Sequence, residues 1–301
     1  PVDNGGTALT SGFVNGKDPR VNAKPIIING NMAVAQRGTS ASGKTSAGYY
    51  ACDRWNFAIS SGGTWTISQD TDVPSGEGFS TSTKYDCTTA QGSLGSAAYI
   101  QHRQSIEGQN LQLLKKGTSN AEKITIAFWV KATKTGTNIL ELFDNTNNRQ
   151  VSKAYTVSSS DTWEKKVVNF PADTSGALAN NNSGALNVQF YLGAGSNLSS
   201  GTLSETWTAY TNADRAVGQV NHADSTSNNF YITGVQMEVG EFSSTTLPPF
   251  QFEDFGDNLA RCQRYYNMLA SGAVATTNGG YNERLGVGYF QGSSLVFFMI
   301  D

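Results

Sequence analysis

The sequence of 301 residues is poor in cysteine and histidine, and the few that it has are scattered. Cys52, Cys87 and Cys262 show no C-x-x-C spacing, and His102 and His222 lie near no cysteine. An odd, sparse set argues against a disulfide framework, although a Cys52–Cys87 pair remains open. A zinc site of the His/Cys kind would need more ligands than these. We therefore expect no metal site and no cofactor.

Charge and long apolar runs are also scarce. Charged residues make up 15% of the chain and the net charge is -3, against about 25% charged residues in an average soluble protein. No cluster of Lys and Arg provides a footprint for nucleic acid. No apolar run approaches the roughly 18 to 20 residues of a membrane span, and the start, PVDNGGTALTSG, lacks the features of a signal peptide. We expect neither nucleic-acid binding nor membrane insertion.

What the sequence does contain is glycine, small polar residues, aromatics and alternating apolar positions. Apolar residues alternate with others along 124–132 and 187–192, which predicts strands. Along 230–240 the alternation slips by one residue at Gly234, as a β-bulge would cause. Further strands are predicted at 31–36, 138–144 and 162–170. Many short strands with polar connections predict an all-β protein, an antiparallel β-sandwich of the jelly-roll kind.

Composition shifts divide the chain into four segments. Residues 1–25 form a leader without apolar periodicity, and 26–250 form the jelly-roll domain, closed by two prolines. Residues 251–270 are a short helix and linker, and 271–301 are the start of a C-terminal β domain. Because that region ends in a strongly apolar strand, we expect it to be truncated or completed by a neighbouring chain.

The predicted helix has an apolar spacing of four, three and four residues. Asp254 or Asp257 could cap its start. One face would consist of Phe255, Leu259, Cys262 and Tyr266.

The stretch GTSASGKT, at 38–45, fits the phosphate-loop pattern G-x-x-x-x-G-K-[ST]. Such a loop needs a buried strand before it and a helix after it, whose N-terminus faces the phosphates. Downstream, SAGYYACDRW makes a poor first helical turn. Asp144 could be sought as the magnesium ligand, but the α/β alternation around it is missing. We interpret 38–45 as an exposed loop between two strands.

Catalysis has little support. A pair of glycosidase carboxylates cannot be located from sequence, no G-x-S-x-G elbow occurs, and neither histidine has a recognisable nucleophile as partner. We expect no enzyme and no catalytic residue. Sugar binding is the stronger hypothesis, because aromatic faces stack on sugar rings.

The candidate stacking residues are Trp207 and Tyr210, in the long polar connection SETWTAYTN. Trp129 is instead expected in the core, since its strand neighbours are apolar. Asp144 and Asp254 could bind a structural calcium ion, with a solvated carboxylate as the alternative.

Seven blocks of sequence, in order, resemble structural proteins of tailed bacteriophages, described as tail-fibre or tail-appendage proteins and abundant among marine phages. The resemblance covers about 26–268 and implies a jelly roll similar to carbohydrate-binding modules, used in a virion appendage that is often trimeric. The family has no established catalytic residues. Its Phe-Glu-His-Arg segment before the helix reads Phe252-Glu-Asp-Phe255 here, so no role of that His or Arg transfers. The blocks are 27–40, 49–57, 106–110, 124–132, 162–170, 231–240 and 259–267.

The resulting hypothesis is a virion structural protein, a tail-fibre or appendage module for assembly and for attachment to host-surface glycan. We expect a homotrimer, located in the virion, that contacts other virion proteins through its N-terminal segment and a host polysaccharide through its jelly roll. The alternatives are a capsid-associated fibre or decoration protein, and a polysaccharide depolymerase.

Overall fold

The computed structural model describes residues 24–267 and two further strands, at 287–291 and 294–298. The predicted leader, 1–25, therefore lies almost wholly outside the described residues, as does most of the predicted region 271–301. The strands are β1 (Ser40–Lys44), β2 (Asn56–Ser60), β3 (Thr64–Asp70), β4 (Ser82–Thr89), β5 (Tyr99–Glu107), β6 (Ile124–Ala132), β7 (Gly136–Asp144), β8 (Arg149–Val157), β9 (Glu164–Phe170), β10 (Gly184–Ala194), β11 (Thr208–Ala209), β12 (Asn229–Val239), β13 (Val287–Gln291) and β14 (Ser294–Phe298). The helices are α1 (Ser196–Ser199) and α2 (Phe255–Gln263).

Two six-stranded sheets make up the body of the protein, which confirms the predicted antiparallel jelly-roll sandwich. The first sheet has the order β1-β3-β4-β12-β6-β9 and the second has the order β11-β8-β7-β10-β5-β2. Strands β13 and β14 pair separately as an antiparallel hairpin. Among the described residues, no helix is long and apolar enough to cross a membrane.

Alternating side chains from both sheets meet in one core. Phe128 of β6 contacts Phe190 of β10, with 4.9 Å between ring centroids, and both side chains are fully buried. His102 of β5 stacks on Trp55 at 4.2 Å, and its Nδ1 is hydrogen-bonded to the Tyr85 hydroxyl from the opposite sheet. Strands predicted at 124–132, 138–144, 162–170 and 187–192 are confirmed by β6, β7, β9 and β10.

The bulge predicted at Gly234 is also confirmed. The pairing of β12 with β6 shifts register between Thr233 and Gln236, and Gly234 has a φ of 61°. A Cβ atom at position 234 would lie only 2.6 Å from the Phe79 ring. Val235 then donates a backbone hydrogen bond to the Gly30 carbonyl, at 2.9 Å. The bulge thus directs β12 toward the N-terminal segment.

The strand predicted at 31–36 is wrong. Met32 and Val34 are buried as their alternation suggests, but the segment joins neither sheet. Side-chain amides take the place of the backbone hydrogen bonds that a neighbouring strand would provide. The Asn29 side chain both donates to and accepts from the Val34 backbone. Gln69 donates to the carbonyls of Met32 and Ala33. Because these amides satisfy the backbone, the chain can be buried without pairing.

Trp129 does not lie in the core as expected. Its neighbours Phe128 and Val130 point inward, so Trp129 points to the outer face of the first sheet, where it is only partly buried. Its cross-strand neighbours are Lys165 and Thr233. The apolar neighbours in sequence misled the prediction because successive strand residues face opposite sides.

Helix α2 begins where predicted and packs on a slightly different face. Asp254 caps it by accepting a hydrogen bond from the Gly256 amide. Leu259 and Cys262 pack with Ile28 and Val34. Two expected members of the face differ: Phe255 is 57% exposed, and Tyr266 follows the end of the helix. The helix therefore packs against the N-terminal segment of the described chain.

The three cysteines are all free and buried, so Cys52 and Cys87 do not form a disulfide. Burial raises the pKa of the Cys52 thiol to about 12 and that of Cys87 to about 11. Both thiols therefore remain protonated and unreactive in the folded protein.

Candidate functional site

The stretch 38–45 does not form a phosphate loop. Ser40–Lys44 is the edge strand β1, paired with β3 rather than looped between strands as expected. The chain then forms an isolated bridge between Gly48 and Phe57, where a phosphate loop would need a helix. The Lys44 ammonium lies 4.8 Å from the centre of the Tyr50 ring. Without a helix N-terminus the segment has no cradle of amides for a phosphate.

Trp207 lies at the start of the short edge strand β11 and is partly buried. Its indole N–H donates to the Pro171 carbonyl, at 2.9 Å. The Lys116 ammonium lies 4.9 Å from the centre of its ring, and the ring packs against the main core. One face of the indole is therefore already used within the protein.

Tyr210 lies just beyond the other end of β11 and is 39% exposed. Its ring contacts Phe143 edge to face, with 5.7 Å between centroids, and its hydroxyl donates to the Asn212 side chain. The Arg215 guanidinium lies 5.2 Å from the Phe143 ring and 5.5 Å from the Tyr210 ring. The contacts of Trp207 and Tyr210 differ completely, so the structure does not bring the two predicted residues into one cluster.

Arg215 is fixed in place by a buried carboxylate. Its Nε and Nη2 both donate to Glu141, at 2.8 Å. Glu141 also accepts from the Gln189 amide and the Tyr191 hydroxyl, each at 3.0 Å. Burial by itself lowers the pKa of Arg215, but the Glu141 carboxylate outweighs this and the net pKa lies above its ordinary value. Arg215 therefore remains charged beneath the two aromatic rings.

A row of polar side chains extends from this aromatic pair across the outer face of the second sheet. Strand pairing places Asn187 beside Phe143 and Gln189 beside Glu141, on the same face. On the far side, Gln189 is paired with Arg103 of β5. We call this surface the polar face; its members are Asn56, Arg103, Glu141, Phe143, Asn187, Gln189, Tyr210 and Arg215.

Sequence reasoning found Tyr210 but missed the rest of the polar face. Its strand members could have been found, because the polar positions of 187–192 and of 138–144 alternate with the core residues. Arg215 could not, because it reaches Glu141 from a connection 74 residues away in the chain.

The carboxylates considered for calcium have other partners. The Lys116 ammonium lies 2.5 Å from Asp144 Oδ2, and the Thr146 and Asn147 amides donate to Asp144 Oδ1. Asp254 is occupied as the cap of α2. A protein ammonium therefore lies where the calcium hypothesis placed an ion at Asp144.

The outer face of the first sheet has an aromatic cluster as well, but cations already cover it. Lys131 and Lys84 lie 4.8 Å and 5.4 Å from the centre of the Tyr231 ring. Trp163 packs edge to face on Tyr231, and its indole N–H donates to Asp72, at 2.8 Å. Tyr231 is only 8% exposed, against 39% for Tyr210.

No protein-family model matches the sequence, and no curated protein is similar to it. Among solved structures, the enzymatically active domain of tailspike protein 4 from bacteriophage CBA120 is similar at 13% identity and a TM-score of 0.37. The match covers 71% of this chain and 21% of the tailspike chain, so this chain spans about a fifth of that protein's length. A family 61 carbohydrate-binding module in complex with β-1,4-galactotriose is similar at 9% identity and a TM-score of 0.36, over 72% of this chain and 99% of that one. A family 30 carbohydrate-binding module is similar at 11% identity and a TM-score of 0.32, over 72% of this chain and 89% of that one.

Proposed function

We propose that this chain is a structural module of a bacteriophage virion, in a tail fibre or similar appendage, that attaches to glycan on the host surface. The virion setting follows from the seven sequence blocks. Glycan attachment is supported by the polar face, and above all by Tyr210, an exposed ring whose hydroxyl lies beside the Asn212 side chain. An aromatic ring with adjacent hydrogen-bonding groups is the usual means of holding a sugar.

The polar face favours binding over turnover. Its carboxylate, Glu141, is buried and accepts four hydrogen bonds from Arg215, Gln189 and Tyr191. A carboxylate satisfied in this way has no free oxygen to protonate a glycosidic bond or to attack a sugar. We therefore propose that the protein is not an enzyme. New reducing ends after incubation with a bound polysaccharide would instead support a depolymerase.

The test compares two tyrosines of equal exposure. Tyr210 and Tyr49 are both 39% exposed and both lie near an arginine, but only Tyr210 lies on the polar face. We expect Tyr210→Ala to weaken binding to a retained polysaccharide by about three- to tenfold, because a stacking contact is lost. Affinity electrophoresis against a panel of bacterial surface polysaccharides would measure this.

Tyr49→Ala is the control and should leave the mobility shift unchanged. Equal weakening by both substitutions would show that the polar face is not the binding surface. If no polysaccharide of the panel retards the wild-type protein, the proposed attachment role fails.

We further propose a homotrimer located in the virion, joined to other virion proteins through the N-terminal segment. Light scattering on the purified chain measures the first point, and a stable monomer would contradict it. Labelling of the protein on intact particles distinguishes a tail location from a capsid-associated fibre or decoration protein. Labels confined to the head would favour the capsid alternative.

A further inference from the structure

Arg103 lies at the end of the polar face away from Tyr210 and has no acidic partner among the described residues. It lies on β5, between Asn56 of β2 and Gln189 of β10. Its Nη2 donates to Asn56 Oδ1, at 3.1 Å. Within residues 24–267, no carboxylate forms an ion pair with it. A guanidinium has five N–H donors, and among the described residues only Asn56 accepts from Arg103.

The other arginine of the polar face and Arg149 of β8, in the same sheet, are neutralised. Arg215 is paired with Glu141, and Arg149 is paired with Asp173 at 2.8 Å through two hydrogen bonds. Glu141 lies on the same row of the face as Arg103, but with β10 between them, and Arg215 already takes both of its oxygens. The polar face therefore has one positive charge left over.

The distance between Arg103 and the aromatic pair suits an extended ligand. Arg103 lies two strands from Glu141 and Phe143, which corresponds to about 10 Å across a sheet. The amide side chains of Gln189 and Asn187 lie between the two strands. Both amides are buried, at 2% and 8% exposure, and donate to Glu141 and Asn145. A ligand that stacks on Tyr210 and passes over them would reach the donors of Arg103 that Asn56 leaves free.

We propose that the glycan bound by the polar face is acidic, a polysaccharide whose uronate carboxylate pairs with Arg103. This inference rests on the proposed glycan attachment. The planar fork of a guanidinium matches a carboxylate with two parallel hydrogen bonds. Tyr210 would then provide sugar stacking in general, and Arg103 would provide the selection for an acidic sugar.

The experiment uses matched polysaccharides that differ only in the acidic group. Polygalacturonate, alginate and hyaluronate are each compared with their carboxyl-reduced forms by affinity electrophoresis of the full chain. The wild-type protein should bind at least one acidic form about tenfold or more tightly than the reduced form, the range expected of a charged hydrogen bond. Added salt should reduce this preference.

Arg103→Gln should abolish the preference, while Arg103→Lys should keep part of it. Lys165→Gln is the control, because Lys165 is an exposed cation on β9, in the other sheet. Thermal unfolding of each variant shows whether it is folded. A preference that persists in folded Arg103→Gln overturns the inference, as does equal binding of acidic and reduced forms by the wild type.

The two proposals fail differently. Binding of reduced forms that is lost in Tyr210→Ala, with no preference for acid, would support glycan attachment and overturn the acidic ligand. Absence of binding to every polysaccharide, acidic or reduced, would count against both.

Discussion

At the residue scale, the position of the Lys116 ammonium is fixed by two carboxylates and two backbone carbonyls. Its ammonium lies 2.5 Å from Asp144 Oδ2 and 2.8 Å from Asp173 Oδ2. The carbonyls of Gly176 and Ser175 accept from it at 3.0 Å and 3.2 Å. Burial alone would raise the pKa of Asp173, but hydrogen bonds from Arg149 and Lys116 outweigh this and lower it. Lys116 and Arg149 together thus neutralise the two buried carboxylates, Asp144 and Asp173.

Neighbouring lysines offer a matched test of that arrangement. Lys116→Met should lower the free energy of unfolding by about 3 to 5 kcal/mol, because the buried Asp144 carboxylate loses its cation and Asp173 keeps only Arg149. Lys115 forms an ion pair with Glu122 and its side chain is 53% exposed. Lys115→Met should therefore cost at most about 1 kcal/mol. Urea unfolding of both variants would measure the difference. Equal costs would mean that the buried network contributes no more than a surface pair.

At the scale of single elements, β12 shows how a glycine directs a strand. Gly234 combines a positive φ with a neighbouring aromatic ring, and both conditions disfavour a side chain. The bulge there brings Val235 into contact with the N-terminal segment through the Gly30 carbonyl. A slip in apolar alternation was enough to predict this from the sequence, because only an extra residue changes the phase of a strand.

Gly234→Ala separates the effect of crowding from that of backbone strain. Gly76 also has a positive φ, of 81°, but a Cβ there would have nothing within 4 Å. We expect Gly76→Ala to cost about 1 to 2 kcal/mol from the backbone alone. Gly234→Ala should cost about 1 to 3 kcal/mol more because of overpacking against Phe79. Denaturant unfolding is the measurement, and similar costs for the two variants would contradict the role given to Phe79.

Among the predicted strands, the regular ones were correct and residues 31–36 were not. Strands with regular alternation were predicted well, because burial of one face leaves a period of two in the sequence. Residues 31–36 have that period too, yet Asn29 and Gln69 satisfy their backbone from other parts of the chain. Nothing local distinguishes the two outcomes, so this error could not have been avoided from the pattern alone.

At the scale of the whole molecule, the blocks behind the phage resemblance meet around α2. Arg54 stacks on Tyr265 at 3.4 Å, and Arg264 is paired with Glu107 at 3.0 Å. Together with the Val235–Gly30 hydrogen bond, these contacts join five of the seven blocks. Tyr210, Arg103 and Arg215 lie outside all seven. The resemblance therefore predicted the scaffold, whereas the polar face required the folded chain.

Stability of the whole molecule should depend on two histidines. Burial lowers the pKa of both His102 and His222 to about 3, from the ordinary value of 6.5. The unfolded chain therefore takes up protons below pH 6.5 that the folded chain cannot. The stabilisation from these two neutral histidines should be fully present above pH 6.5. Below it, the free energy of unfolding should fall toward pH 3 by about 1.4 kcal/mol per pH unit for each histidine.

Urea unfolding at pH 7.5 and at pH 5.0 would measure this loss, in a range above the ordinary titration of carboxylates. His222→Gln should reduce the loss between the two pH values by about half, since one of two titrating groups is removed. Equal stability of the wild-type protein at both pH values would contradict the burial of neutral histidine.

The contact between the N-terminal segment and α2 has a mechanical consequence. Arg261 donates to the Pro25 carbonyl at 2.7 Å, and Lys24 lies 3.8 Å from Asp257. Tension applied through Lys24 and Tyr266 would first load these few contacts and peel the two segments apart. The sheets behind them would carry force only afterwards, so the domain would lengthen at this junction before its sandwich gave way.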